Sequence, residues 1–126
     1  MGTQDNAGLS SRFRDAYQNF NGQNWQAVRD MLDDDVVLTT LDSSTTIINK
    51  GHVTEYLKNK IGKDHPSLNQ VQANADFTTG IVSGTAFWQD NDSGQRTNRR
   101  ITFKFVFSWH DVDKDWFVLS LSGSPD

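Results

Sequence analysis

The sequence has no cysteine, so neither a disulfide framework nor a thiolate metal site is available to it. It also lacks a basic excess. Twelve Lys and Arg against sixteen Asp and Glu leave a formal net charge of −4, whereas phosphate binding needs a net positive face. That balance argues against a nucleic-acid partner, and the one basic cluster, Arg96, Arg99, Arg100 and Lys104, reads as the solvated start of a strand. No apolar run approaches the length of a membrane span, and the opening Met-Gly-Thr-Gln-Asp-Asn carries no signal-peptide core. The chain therefore reads as soluble and cytoplasmic, with no membrane partner. Internal repeats and low-complexity tracts are absent too.

Acidic spacing excludes a further class. Asp111, Asp113 and Asp115 stand at the first, third and fifth places of a calcium loop, but Trp116 falls where the loop needs glycine and Ser122 where it needs a bidentate glutamate. No metal and no cofactor is expected.

What is present is aromatic weight. Over Phe103–Trp109, strand alternation puts Phe103, Phe105, Phe107 and Trp109 on one face, with Thr102, Lys104, Ser108 and His110 on the other. Four such groups are worth roughly 2 to 3 kcal/mol each when covered. The rest of the chain must supply the cover, and what it leaves uncovered is the place to look for function.

Along the chain, Leu9, Phe13, Ala16, Tyr17 and Phe20 form the stripe of an amphipathic helix. Asn21-Gly22 stops it, the glycine supplying a left-handed residue, and Asn24 reads as the N-cap of a second, shorter helix burying Trp25, Val28 and Leu32. After Asp33-Asp34-Asp35 the period changes. Val36 to Leu41 reads as a strand, Asp42-Ser43-Ser44 as a turn and Thr45 to Ile48 as a short return. A third helix from about Gly51 carries Val53, Tyr56, Leu57 and Ile61 and stops at Gly62. Beyond Pro66 come four strands, over 68–78, 81–89, 98–110 and 116–122. The order α-α-β-β-α-β-β-β-β predicts an α+β domain whose curved antiparallel sheet wraps around helices gathered on one face, leaving a cone with a cavity at its wide end. At 126 residues the chain fits a single domain, 1–126, with an ordered core over about 9–123.

Several short motifs occur in one order: Tyr17 to Gly22 followed by Asn24-Trp25, Met31-Leu32 leading into Asp34-Asp35-Val36-Val37, Gly51 opening the third helix, and Trp116 starting the last strand. In these the chain resembles the nuclear transport factor 2-like superfamily, in its SnoaL-like and ketosteroid isomerase-like branch, over residues from about Leu9 to Gly123. The superfamily spreads many activities over one scaffold. In its isomerase-like members a catalytic carboxylate faces inward on the first strand. Here the corresponding position is Thr40, and Asp42 is the nearest acid; the second acid of those isomerases corresponds to Phe105, and their helix-one tyrosine to Tyr17 within one residue. The paired histidines of the dehydratase branch have no counterpart among His52, His65 and His110, which fall at a helix start, a loop and a strand end.

The expected pocket follows. Beside the aromatic strand, its neighbour offers Val82, Gly84, Ala86 and Trp88, with the small Gly84 and Ala86 leaving room. Tyr17, Thr40 and Tyr56 supply hydroxyls from the opposite wall. The register that the resemblance implies for the last strand turns Val118, Ser120 and Ser122 inward. Phe117, Leu119 and Leu121 then face outward, a stripe that marks a homodimer interface on the outer sheet face. The ligand contacts expected are Tyr17, Thr40, Tyr56, Gly84, Ala86, Trp88, Phe105, Trp109 and Ser120. Each has a plainer reading as well: rings on a buried face are ordinary core, and Asp42 before two serines is an ordinary turn-former.

Three functions stay open. One is binding of a small hydrophobic molecule. Another is isomerase or lyase chemistry of the polyketide-cyclase type, with Asp42 as general base and Tyr17 or Tyr56 polarising a carbonyl. The third is a protein-interaction module whose apolar cleft takes a phenylalanine-bearing peptide.

Overall fold

Leu9, Phe13 and Phe20 recur on one side of the first segment, and they are the buried stripe of helix α1 (Asn6–Asn21). The computed structural model describes residues 2–40, 44–64, 67–90 and 97–125. Asp5 caps α1, its carboxylate accepting from the Gly8 amide at 2.7 Å. The stop differs in detail from expectation. Gly22 keeps a right-handed φ of −81°, and the left-handed residue is Gln23, at φ 59°. Helix α2 (Trp25–Asp30) follows. Asn24 occupies its N-cap position without a side-chain capping bond, because its amide group donates to Asn19 Oδ1 instead.

Strand β1 (Leu32–Thr39) starts four residues before the predicted point, so the three aspartates belong to it, and β2 (Thr46–Ile48) returns beside it. Helix α3 (Lys50–Tyr56) is capped by Asn49, whose side chain accepts from the Gly51 and His52 amides. It does not stop at Gly62. It runs on through a π-helical turn, Leu57–Ile61, into a last turn, Gly62–Asp64. The strands β3 (Leu68–Asp76), β4 (Ile81–Asp90), β5 (Thr97–His110) and β6 (Asp115–Pro125) complete the chain. The predicted α+β class and element order hold.

The six strands form one curved, unclosed sheet in the order β2-β1-β6-β5-β4-β3. Every pairing is antiparallel except β1 with β6, which is parallel; the sheet is therefore mixed where an antiparallel one was expected. The helices cover its inner face. Phe13 of α1 lies between two rings of β5, stacked on Phe103 at 5.4 Å and edge-on to Phe105 at 5.3 Å. Among the described residues, Leu9, Val36, Val53, Val82 and Val118 are the largest fully buried side chains.

Two irregularities set which side chains face inward. In β6, Val118 pairs with Phe107 but Ser120 pairs with Val106, so Leu119 is an extra residue and a β-bulge. Past it the alternation flips. Leu121 and Gly123 pair with the inward Phe105 and Phe103, while Ser120 and Ser122 oppose Val106 and Lys104 on the outer face. This one insertion turns the expected inward serines outward and breaks the expected outward stripe, for Phe117 keeps to the outer face opposite Ser108 while Leu121 turns inward opposite Phe105. The second irregularity is in β1, whose register against β6 shifts between Leu32 and Val37.

Candidate functional site

Between α1, the α3 π turn and the inner face of the sheet lies a cavity of about 120 Å³, partly open to solvent. Four elements supply most of its wall. Helix α1 gives Phe13, Ala16, Tyr17 and Phe20; α3 and its π turn give Tyr56, Leu57 and Ile61; β1 gives Leu32 and Leu38; β5 gives Ile101, Phe103 and Phe105. Trp88 of β4, Leu68 and Val71 of β3, and Val118 and Leu121 of β6 close it. Among the described residues no carboxylate, histidine, lysine or arginine lines it. The polar residues in the wall are Tyr17, Tyr56, Thr39 and Ser122, the last with its hydroxyl donated to the Lys104 carbonyl at 3.3 Å and away from the cavity.

The nine expected contacts separate cleanly. Tyr17, Tyr56, Trp88 and Phe105 line the cavity; Thr40, Gly84, Ala86, Trp109 and Ser120 do not. Thr40 is engaged in the β1–β2 hairpin, its hydroxyl accepting from the Thr45 amide. Gly84 leaves no room for a ligand, because the space beside it is filled by the β3 backbone, and a Cβ there would collide with the Gln72 carbonyl oxygen. Ala86 is inward but buried within the core. Trp109 lies beyond the end of the cavity, packed on Trp116 at 5.4 Å, with its indole N–H donated to Asp111. Ser120 is turned outward by the bulge at Leu119. Asp42, the candidate base, and His65 lie outside the described residues.

Wall residues that the sequence reading passed over are of two kinds. Leu121 entered the cavity through the β6 bulge, which a perfectly alternating segment conceals. Ala16, Phe20, Leu57 and Ile61 were visible as stripe residues of amphipathic helices, and only their place against an unfilled space was not.

One cluster of titratable groups lies on the opposite side of the sheet. Asp33 of β1, 8 % exposed, has one oxygen accepting from the Asp35 amide at 2.9 Å. The other accepts from the Ser108 hydroxyl at 2.7 Å and lies 2.6 Å from His110 Nε2. Burial pushes the Asp33 carboxyl up, but the Asp35 amide, the Ser108 hydroxyl and the hydrogen bond and charge of His110 outweigh it, and the balance lies below the ordinary value of 3.8. His110 Nδ1 is 3.6 Å from Asp113, and the ring stacks on Phe117 at 4.3 Å. This is not a nucleophilic triad. Ser108 and Asp33 both meet the same ring nitrogen, Nε2, whereas relay from serine to carboxylate needs one on each side of the imidazole.

No group of three or more side chains suited to hold a metal ion occurs among the described residues. Likewise no helix among them is long and apolar enough to cross a membrane.

No protein-family model matches the sequence, and no curated protein matches it. Solved structures do. A ketosteroid isomerase-like protein from Erwinia carotovora atroseptica superposes with a TM-score of 0.70 at 13% identity, covering 95% of each chain. The CaMKII hub of S. rosetta gives a TM-score of 0.73 at 12% identity over 94% of each chain. A protein from Novosphingobium aromaticivorans, described as nuclear transport factor 2-like with a cystatin-like fold, gives 0.67 at 10% identity, over 91% of this chain and 77% of its own. Identities this low speak for architecture alone. The helices and the six-stranded curved sheet are thus arranged as in the nuclear transport factor 2-like fold.

Proposed function

We propose that the chain binds a small, neutral, apolar molecule in the cavity between α1 and the sheet. The carrying observation is an unfilled space of about 120 Å³ whose described wall holds no charged side chain. Protein interiors ordinarily pack without such voids, and a cavity of about 150 Å³ with an apolar lining stays dry and takes up benzene. The size favours a single substituted ring or a short hydrocarbon chain. Transfer of an ion into this space would be heavily penalised, which disfavours carboxylates and amines as ligands. Tyr17 and Tyr56 both line the cavity, and their phenols are the groups that would orient a ligand there.

The test is extraction and mass spectrometry of the purified protein beside an Ala16→Phe variant that fills the cavity. A neutral apolar molecule in the native protein, absent from the variant, supports the reading; equal amounts in both would overturn it.

A second reading, self-association, is favoured by a separate observation on the outer sheet face. Ile48, Val37, Ser120, Val106 and Ile81 are cross-strand neighbours in one row. Ile48 at its end is 64 % exposed. This row replaces the Phe117–Leu121 stripe as the candidate homodimer contact, and one structural neighbour is itself a hub domain. A dimer mass by light scattering at micromolar concentration, reduced to the monomer mass by Val106→Lys, would support it. A monomeric native protein would exclude it.

A further inference from the structure

We infer that the π turn of α3 is the element that keeps the cavity uncharged and so makes it select neutral over anionic ligands; this rests on the cavity being a ligand site.

In an uninterrupted α-helix, residues three and four apart share a face. Tyr56 and Leu57 line the cavity. The residue four after Tyr56, and three after Leu57, is Lys60. Continuous α-helical geometry would therefore lay the Lys60 side chain beside both of them, along the cavity wall. The π turn prevents this. The Gly62 amide bonds to the Leu57 carbonyl, five residues back, so the turn holds one residue more than an α turn. Lys58, Asn59 and Lys60 are all exposed, and Ile61 lines the cavity.

The turn is held from outside as well. The Trp25 ring packs where a Cβ of Gly62 would stand, 3.0 Å from it. Asn59 is tied to the Glu55 carboxylate at 2.7 Å. Frequent association of π turns with functional sites has this physical basis: one inserted residue changes which side chain meets the ligand without changing the fold.

The test deletes Ile61, restoring the α spacing while keeping Lys60 four residues after Tyr56 and three after Leu57, and reads binding of 4-fluorotoluene and of 4-fluorobenzoate by fluorine NMR. The two probes match in ring and differ in charge. The native protein is expected to prefer 4-fluorotoluene by at least about tenfold, since the anion would be desolvated without a partner. In the deletion variant that preference should fall at least about fivefold, and adding Lys60→Gln should restore it, because the ammonium supplies the missing partner. A folded deletion variant with the native preference would overturn the inference. If the native protein binds neither probe, the cavity reading itself fails, which is a different result.

Two substitutions in the unaltered frame decide the matter should the deletion variant not fold. Lys60→Ile is expected to leave the preference within about twofold and Ile61→Lys to lower it at least about fivefold, because only residue 61 meets the cavity. The reverse pattern, with Lys60→Ile altering the preference and Ile61→Lys sparing it, would overturn the inference.

Discussion

The Asp33 carboxylate and the His110 ring meet 2.6 Å apart, from strands β1 and β5 that are not neighbours but flank β6. The contact ties three strands together on the outer face, and Phe117 of β6 lies stacked against the ring it holds. It also fixes the irregular stretch of β1, because the same carboxylate accepts the Asp35 amide within the region where the β1 register shifts. A buried carboxylate with three such partners is a structural device here, on the far side of the sheet from the cavity.

Asp33→Ala should accordingly cost about 2 to 3 kcal/mol, the range for stripping a buried, charge-assisted acceptor from its donors. His110→Ala should cost less, because its side chain is 33 % exposed and water can replace part of what is lost. Urea unfolding of both variants beside the native protein measures the two costs. Equal costs would mean that the Asp35 and Ser108 bonds contribute nothing.

Acid should expose the same group. The folded-state pKa of Asp33 lies below its ordinary 3.8, so the unfolded chain takes up its proton first. The stability due to this group is then present above 3.8 and is lost as pH falls through the lower folded-state value. Between about pH 5 and pH 2, the urea midpoint of the native protein should drop more steeply than that of Asp33→Asn. Parallel curves would remove Asp33 from the acid response.

Gly84→Ala tests the fold at a close approach. The added methyl meets the Gln72 carbonyl and the Ala73 Cα of β3, backbone atoms that cannot rotate aside. A loss of about 1 to 3 kcal/mol is expected, as for overpacked sites, while Ser83→Ala one residue away should change stability by less than about 0.5 kcal/mol. Calorimetric melting of the pair separates them.

Phe103 stacks on Phe13 and is 5 % exposed. Its replacement by alanine should cost about 3 to 5 kcal/mol, read by urea unfolding. A cost below about 1 kcal/mol would mean that the aromatic strand is not anchored to α1 as described.

The elements built on repetition were legible in the sequence. The Leu9–Phe20 stripe and the alternating rings of β5 each announce a buried face, and Phe13 against Phe103 and Phe105 is the contact they jointly make. What stayed hidden arises from pairing, not from local pattern. Phe117 to Ser122 alternates faultlessly, and only its register with β5 reveals that Leu119 is inserted and Leu121 turned inward. Val53, Tyr56, Leu57 and Ile61 satisfy an α-helical stripe, so nothing local betrays the π turn. Asp33 shows in the sequence only as one of three acids at a change of period, because its partners Ser108 and His110 are 75 and 77 residues away. For the site the same division holds: four expected contacts line the cavity, and the misplacements of Ser120 and Gly84 trace to bulged or closely approaching strands.

The unfilled apolar space under α1 is most directly tested by fluorine NMR titration of 4-fluorotoluene into the native protein and into Ala16→Phe. The native protein should bind with one saturable site and the variant, folded to the same secondary structure, should not. No binding to the native protein, or equal binding to both, would contradict a ligand site between Ala16 and the sheet.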